Sequence, residues 1–178
     1  MTTNDADALV RAARTLVLLG LAIAGAACAG PAGRTTEVGR PADARGSGRE
    51  TVDAEAAARR ARGQRAVEIA MKHRGAAYQW GGAGPSSFDC SGFVRYVYAQ
   101  VGVSLPHNAA LQYERGIAVA RDSLEPGDLV FFDGLRHNGI YVGQGRFIHA
   151  RQTGRHVNVA ELGDDWYRTR WVGARRPW

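Results

Sequence analysis

The side chain with the clearest chemical potential is the thiol of Cys90, in the segment FDCSGFV. Apolar residues at helical spacing follow it and predict a helix from Cys90 to Val101. The thiol then stands in the first helical turn, where the helix dipole favours a thiolate and lowers the pKa. This position suits a nucleophile, although burial in the core is the ordinary role of a lone cysteine. We expect the neighbouring Asp89 carboxylate to face backbone donors.

A nucleophilic thiol needs a base, and the base needs an orienting group. Two of the five histidines lie in apolar runs that predict strands, His137 in HNGIYVG and His149 in RFIHA. The glycine-rich turn at 143–145 predicts that these strands pair as a hairpin, which would place the two histidines side by side. Cys90, His137 and His149 are therefore the candidate catalytic residues. A metal site built from the same three is a weaker interpretation, because close-spaced ligand pairs and a fourth ligand are lacking.

The elements around these residues predict an α+β domain. Residues 64–74 have the spacing of a first helix, and the Cys90 helix follows. After residue 128 the chain consists of short apolar or alternating runs divided by Gly and Asp, at 129–132, 138–143, 146–150, 156–159 and 171–174. Helices followed by a meander of strands are typical of helices packed on an antiparallel sheet.

The first segment, residues 1–28, is predicted to be an export signal. Its apolar stretch, Leu16–Ala27, is followed directly by Cys28. A stretch of this length suits the apolar core of a secretory signal. The small residues before Cys28 resemble the end of a bacterial lipoprotein signal, in which the cysteine carries lipid. We therefore expect an exported protein of the cell envelope, anchored to a membrane through Cys28.

Composition separates a tether from a folded domain. Residues 29–62 lack aromatics, Leu and Ile, so they cannot bury enough apolar surface to offset the entropy of ordering, and we interpret them as a flexible tether. Within the tether, 54–61 has helical propensity and could extend the next helix. Residues 63–178 hold all 4 Trp, all 6 Tyr and all 5 Phe, so the core belongs there.

Charge and cysteine content exclude several classes of protein. Lys and Arg number 23 against 17 Asp and Glu, which gives a net charge of +6. This balance suits an anionic partner, but the basic residues form no clustered stripe typical of nucleic-acid binding. Two cysteines cannot build a disulfide-rich scaffold, and no apolar run reaches the ~18 residues of a membrane-spanning helix.

Five motifs in order resemble the NlpC/P60 family of papain-like cell-wall peptidases. The resemblance extends from Gln64 to Trp178. It implies a papain-like α+β fold with the nucleophile at the N-terminus of a helix packed on an antiparallel sheet. The motifs are YQWGG at 78–82, FDCSGFV at 88–94, LEPGDLVFF at 124–132, HNGIYVG at 137–143 and FIHA at 147–150.

The resemblance also implies roles for individual residues. Cys90 matches the nucleophile, His137 the general base and His149 the orienting residue, while Tyr78 matches a tyrosine that binds substrate or stabilises the oxyanion. The implied substrate is the peptidoglycan stem peptide, cut between D-γ-glutamyl and a diamino acid, with no cofactor or metal. Residues 105–108, LPHN, depart from the family's usual LPR followed by Ser or Thr, which leaves a substrate contact by His107 open.

Two alternatives remain at the level of sequence. The same fold could serve an amidase or acyltransferase acting on another substrate, since these differ in the shape of the cleft. A lipoprotein that binds the envelope without catalysis is the other alternative. The presence of Cys90, His137, His149 and Tyr78 together argues against it, although a blocked cleft could silence an intact triad.

Overall fold

A computed structural model describes residues 44–152 and 155–178 of the chain. The predicted signal, Cys28 and the first part of the predicted tether lie outside these residues. The described part contains four α-helices and eight β-strands. They are α1 (Ala44–Lys72), β1 (Ala77–Tyr78), β2 (Ser87–Phe88), α2 (Cys90–Ala99), α3 (Ala109–Tyr113), β3 (Ile117–Val119), β4 (Leu129–Phe132), β5 (His137–Gly143), β6 (Arg146–Ala150), β7 (Val157–Glu161), α4 (Asp165–Thr169) and β8 (Trp171–Arg176).

Six strands form one antiparallel sheet in the order β3-β8-β4-β5-β6-β7. The strands β4 to β7 follow the chain as a meander, and β8 returns to pair with β4. The predicted hairpin of β5 and β6 is present, with Gly143 and Gly145 at positive φ in its turn. The predicted α+β fold with an antiparallel sheet is therefore confirmed.

The two faces of this sheet bury separate hydrophobic clusters. Alternation along β4 shows the division, because Leu129 and Phe131 belong to one cluster and Val130 and Phe132 to the other. The first cluster takes the apolar sides of α1 and α2. The second lies under the chain that follows β7, and the buried Tyr167 of α4 belongs to it.

The smaller sheet holds the loop before α2 in place. Its strands β1 and β2 pair in parallel, with Tyr78 opposite Phe88. The backbone N–H of Gln79 donates to the Phe88 carbonyl at 3.0 Å, and that of Asp89 donates to the Gly82 carbonyl at 2.9 Å. These bonds connect residues 77–82 to the residues immediately before Cys90.

The helix α1 begins inside the stretch that we interpret as a tether. It runs without a break from Ala44 to Lys72, and residues 48–62 are almost all exposed. Ala and Arg have high helix propensity, so this segment forms a helix without an apolar face. The division of the chain at residue 62 stays a prediction. No helix among the described residues is long and apolar enough to cross a membrane.

Candidate active site

Cys90 is the first residue of α2, and Asp89 caps that helix. The Asp89 carboxylate accepts hydrogen bonds from the backbone N–H of Gly92 at 2.7 Å and of Gly81 at 3.0 Å. It also accepts from the hydroxyl of Ser91 at 3.1 Å. The carboxylate thus faces backbone donors, as we expected, and it satisfies the Gly92 amide, which the first helical turn would otherwise leave unpaired.

The Cys90 thiol is partly exposed and lies against the loop that enters β5. Its Sγ is 3.8 Å from the carbonyl oxygen of Arg136, the residue before His137. Burial raises the pKa of the thiol, and the Asp89 charge adds to this, while backbone N–H groups of Ser91 and Asn138 act in the opposite direction. The expectation of a lowered pKa is therefore wrong in its net direction, because desolvation and Asp89 outweigh the helix terminus.

The two strand histidines form a buried pair. His137 Nε2 lies 2.7 Å from His149 Nδ1, and the side chains come from the adjacent strands β5 and β6. His149 is fully buried and His137 is 7% exposed. Burial lowers the pKa of His137 to about 4, with the positive charge of Arg151 adding to the effect. Burial lowers the pKa of His149 well below its ordinary value, with the charges of His137 and Arg151 adding to the effect, so both rings are neutral at neutral pH.

A third aromatic ring, that of Tyr167, contacts the histidine pair. The hydroxyl of Tyr167, on α4, lies 3.3 Å from His149 Nε2. Its ring packs edge-on against that of His149 at a centroid distance of 5.5 Å. The sequence analysis did not identify this residue as part of the site. A five-residue helix is too short for hydrophobic periodicity, so the sequence carries no signal for it.

Tyr78 stands beside the cysteine through the small parallel sheet. Tyr78 pairs with Phe88 across the two strands, and Cys90 follows Phe88 by two residues in the chain. Burial raises the pKa of Tyr78, and the charges of Cys90 and Asp89 raise it further. The phenol therefore keeps its proton and can donate a hydrogen bond near the thiol.

A cleft of about 620 Å³ opens beside Cys90. Its walls come from the loop after β1, the start of α2, the start of α3 and the loop between β4 and β5. Trp80 is 85% exposed at its rim. A peptide could therefore approach the thiol along these walls, which include Gly81, His107 and Arg136.

His107 lies in this cleft and contacts the cap of α2. Its Nε2 is 3.0 Å from Asp89 Oδ1 and 2.9 Å from Asp89 Oδ2. Sequence reasoning considered His107 only as a substrate contact and did not foresee this pair. Among the described residues, no group of three or more His, Cys, Asp and Glu could hold a metal ion.

The fold and the site together define a papain-like α+β domain with a thiol at a helix start and a histidine pair on the facing sheet. The chain belongs to the NlpC/P60 family, whose family model matches residues 75–176. It is 46% identical over 101 residues to the "Probable endopeptidase p60" of Listeria innocua, a match that covers 54% of this chain and 22% of that protein.

Two further similarities extend this comparison. The chain is 41% identical over 117 residues to the "Gamma-DL-glutamyl hydrolase" of Bacillus subtilis, which covers 62% of this chain and 28% of that protein. It matches the crystal structure of the NlpC/p60 domain of the peptidoglycan hydrolase SagA with a TM-score of 0.58 and 36% identity, over 64% of this chain and 97% of that domain. The chain thus spans less than a third of the length of the two curated relatives, the p60 endopeptidase and the γ-glutamyl hydrolase.

Proposed function

We propose that this domain is a cysteine endopeptidase that cuts peptidoglycan stem peptides. The observation that carries the proposal is the position of the Cys90 thiol, at the edge of an open cleft and 3.8 Å from the carbonyl oxygen of Arg136, the residue before His137 of the buried histidine pair. Cys90 is the nucleophile, His137 the general base and His149 the orienting residue. The names of the relatives, an endopeptidase and a γ-glutamyl hydrolase, support hydrolysis of a peptide or γ-glutamyl bond.

The contacts of the two histidines favour one arrangement of protons. His137 Nε2 is engaged with His149, so His137 Nδ1 is the ring atom left to accept the thiol proton. His137 then carries its own proton on Nε2 and donates it to His149 Nδ1. His149 in turn carries its proton on Nε2 and donates it to the Tyr167 oxygen. Each ring is therefore held in the tautomer that leaves His137 Nδ1 basic.

The reaction proceeds in two steps, acylation of the thiol and hydrolysis of the thioester. The sulfur of Cys90 attacks the amide carbonyl as its proton passes to His137, the C–N bond breaks, and His137 gives the proton to the leaving amine. Water then attacks the thioester, His137 takes a proton from the water, and the C–S bond breaks to release the acid and restore the thiol. The backbone N–H of Cys90 and the hydroxyl of Tyr78 stabilise the oxyanion in both steps.

The bond cut is that between D-γ-glutamyl and a diamino acid. The relative named as a γ-glutamyl hydrolase supports a γ-glutamyl acyl group. The enzyme acts in the cell envelope, where a lipid on Cys28 anchors it to the membrane. Loss of the protein from the membrane fraction on Cys28→Ser substitution, in a host that lipidates such signals, tests the anchor.

Digestion of purified peptidoglycan tests the activity. The full chain with Cys28→Ser, which leaves Cys90 as the one remaining thiol of the sequence, is incubated with walls of several stem-peptide types, and soluble products are read by mass spectrometry. We expect fragments that end in D-γ-glutamate or begin with the diamino acid. Cys90→Ala and His137→Gln should release none, because one lacks the nucleophile and the other the base.

His156→Gln is the matched control for the histidine substitution, because His156 is exposed and should leave the products unchanged. Failure of every wall type with a folded, reactive thiol would overturn the wall-peptidase proposal and indicate an amidase or acyltransferase on another substrate. Failure with an unreactive thiol would instead indicate a non-catalytic binding protein.

A further inference from the structure

His107 and Asp89 form a partly shielded pair at the N-terminus of α2. Both oxygens of the carboxylate lie within 3.0 Å of His107 Nε2, which must carry a proton because a carboxylate only accepts. The side chains are 24% and 12% exposed. Solvent screens their charges less than those of a surface pair, so a change of charge on the imidazole reaches neighbouring groups.

The cysteine is the neighbour that such a change affects most directly. Asp89 precedes Cys90 in the chain, and its negative charge opposes formation of the thiolate. A neutral His107 leaves this charge in place, whereas an imidazolium cancels it. Charge on the imidazole therefore changes the free energy of the thiolate through Asp89, without contact between His107 and the sulfur.

The position of His107 is held by more than its own contact. The side-chain amide of Gln112 donates to the carbonyl of Pro106, the residue before His107, at 2.6 Å. The same amide donates to the carbonyl of Ser91, the residue after Cys90, at 2.9 Å. Gln112 is fully buried, so it connects the His107 loop to the first turn of α2.

Few other charges face this pair. Of the groups that line the cleft around it, the titratable or charged ones are Asp89 and Cys90 at the start of α2 and Arg136 in the loop before β5. Arg136 extends into solvent, 78% exposed, and pairs with Asp133 at 3.3 Å. The walls from the loop after β1 and from α3 contribute no titratable side chain to the cleft, but Tyr78 of β1 also lies close enough for the charges of Asp89 and Cys90 to raise its pKa.

We propose that His107 is a positioning residue for Cys90. Protonation of the His107 imidazole neutralises Asp89, and at acidic pH the thiol is then more reactive than it would be beside a neutral side chain at position 107. Wild-type protein should behave as though it carried a permanent cation at position 107 at low pH and a neutral side chain at high pH. The proposal rests on the proposed nucleophilic role of Cys90, but thiol labelling measures the effect without substrate.

The test compares thiol labelling rates of wild type, His107→Arg and His107→Gln in the full chain with Cys28→Ser. A methanethiosulfonate reagent labels Cys90 between pH 5.5 and 9. Wild type should match the Arg variant at pH 5.5 and the Gln variant at pH 9. The two variants should differ about threefold, because a pKa difference of about one unit is partly offset by the lower nucleophilicity of the more acidic thiol.

His156→Gln serves as the control and should follow the wild-type curve at every pH. A wild-type curve parallel to that of His107→Gln throughout, or three coincident curves, would overturn the proposal. If His107→Gln fails to fold, as judged by circular dichroism, a constant ratio of wild type to His107→Arg across pH overturns it equally. Labelling that behaves as expected without wall digestion would refute the proposed function alone.

Discussion

The protonation state of the histidine pair depends on burial more than on neighbouring charges. His137 and His149 come from neighbouring strands, and burial lowers the pKa of both rings. A neutral His137 beside a thiol whose pKa is raised means that the resting site holds a thiol and an imidazole rather than an ion pair. In the mechanism that we propose, the thiol proton therefore moves only when the substrate is attacked, and the tautomer of His137 must be correct beforehand.

Tyr167→Phe tests how that tautomer is held. The substitution removes the acceptor for the His149 Nε2 proton, so His149 can move its proton to Nδ1 and no longer accept from His137. We expect kcat to fall about fivefold to tenfold with little change in KM. A decrease of this size corresponds to the loss of one ordinary hydrogen bond. Steady-state kinetics on a soluble stem peptide measures it.

Tyr141→Phe is the matched control for this substitution. Its hydroxyl accepts from the exposed backbone N–H of Gly145 in the hairpin turn, at 3.0 Å, and takes no part in the histidine contacts. Its kcat should stay at the wild-type value. Equal kcat for Tyr167→Phe and wild type would show that His149 keeps its tautomer without the tyrosine.

At the scale of elements, the site depends on how closely the loop after β1 approaches α2. A Cβ added to Gly92 would come within 2.0 Å of the carbonyl oxygen of Gly82 and 2.7 Å of His107 Nε2. The carbonyl belongs to backbone that the small sheet holds, so it cannot yield as a flexible side chain would. Only glycine therefore lets this loop lie against the first turn that carries Cys90.

Gly92→Ala should consequently destabilise the protein although alanine favours a helix. We expect a loss of about 2 kcal/mol in the free energy of unfolding, because overpacking against fixed backbone exceeds the gain of about 1 kcal/mol in helix propensity. Urea unfolding followed by circular dichroism measures it. The labelling rate of Cys90 should change as well, since the first turn must shift.

Gly163→Ala is the matched control. A Cβ at this position meets no atom within 4 Å, so its free energy of unfolding should stay within about 0.5 kcal/mol of wild type. A stable Gly92→Ala variant with unchanged labelling would mean that the loop and helix can separate without effect on the thiol.

At the scale of the molecule, the buried histidines make stability depend on pH. His137 has a pKa of about 4 when folded against 6.5 ordinarily, so the unfolded chain binds its proton first as the pH falls. The contribution of neutral His137 to the free energy of unfolding is therefore fully present above pH 6.5 and is lost as the pH falls from 6.5 to about 4. The difference of about 2.5 pH units corresponds to at most about 3 kcal/mol from His137. His149 acts in the same direction.

Urea unfolding at pH 7 and pH 4.5 measures this decline. In His137→Gln the decline between these pH values should be shallower than in wild type, because one proton-binding group is gone. An equally steep decline in both proteins would show that other groups cause the acid sensitivity. His156→Gln, which removes an exposed histidine, should leave the slope at the wild-type value.

The local pattern of apolar residues was sufficient to predict the main helices and strands. The helix at Cys90 and the strands near residues 129, 146 and 171 lie within a few residues of their predicted bounds. Their apolar residues repeat at helical or alternating spacing over several positions, and a repeat of this kind is a property of the sequence itself. The hairpin that joins His137 to His149 followed from the same reasoning, since a two-strand pairing with a glycine turn is local.

What the sequence alone determined was therefore the order of elements, the candidate nucleophile and the neighbouring strands of the two histidines. Only the tertiary structure decided that Tyr167 reaches His149, that His107 reaches Asp89, and that the net environment of Cys90 raises its pKa. Each of the two side-chain contacts joins residues that are 18 positions apart in the chain. Tyr167 and His107 lie in short segments whose residues show no periodic pattern. Desolvation likewise depends on all the atoms that surround a group, and no local pattern of residues contains that information.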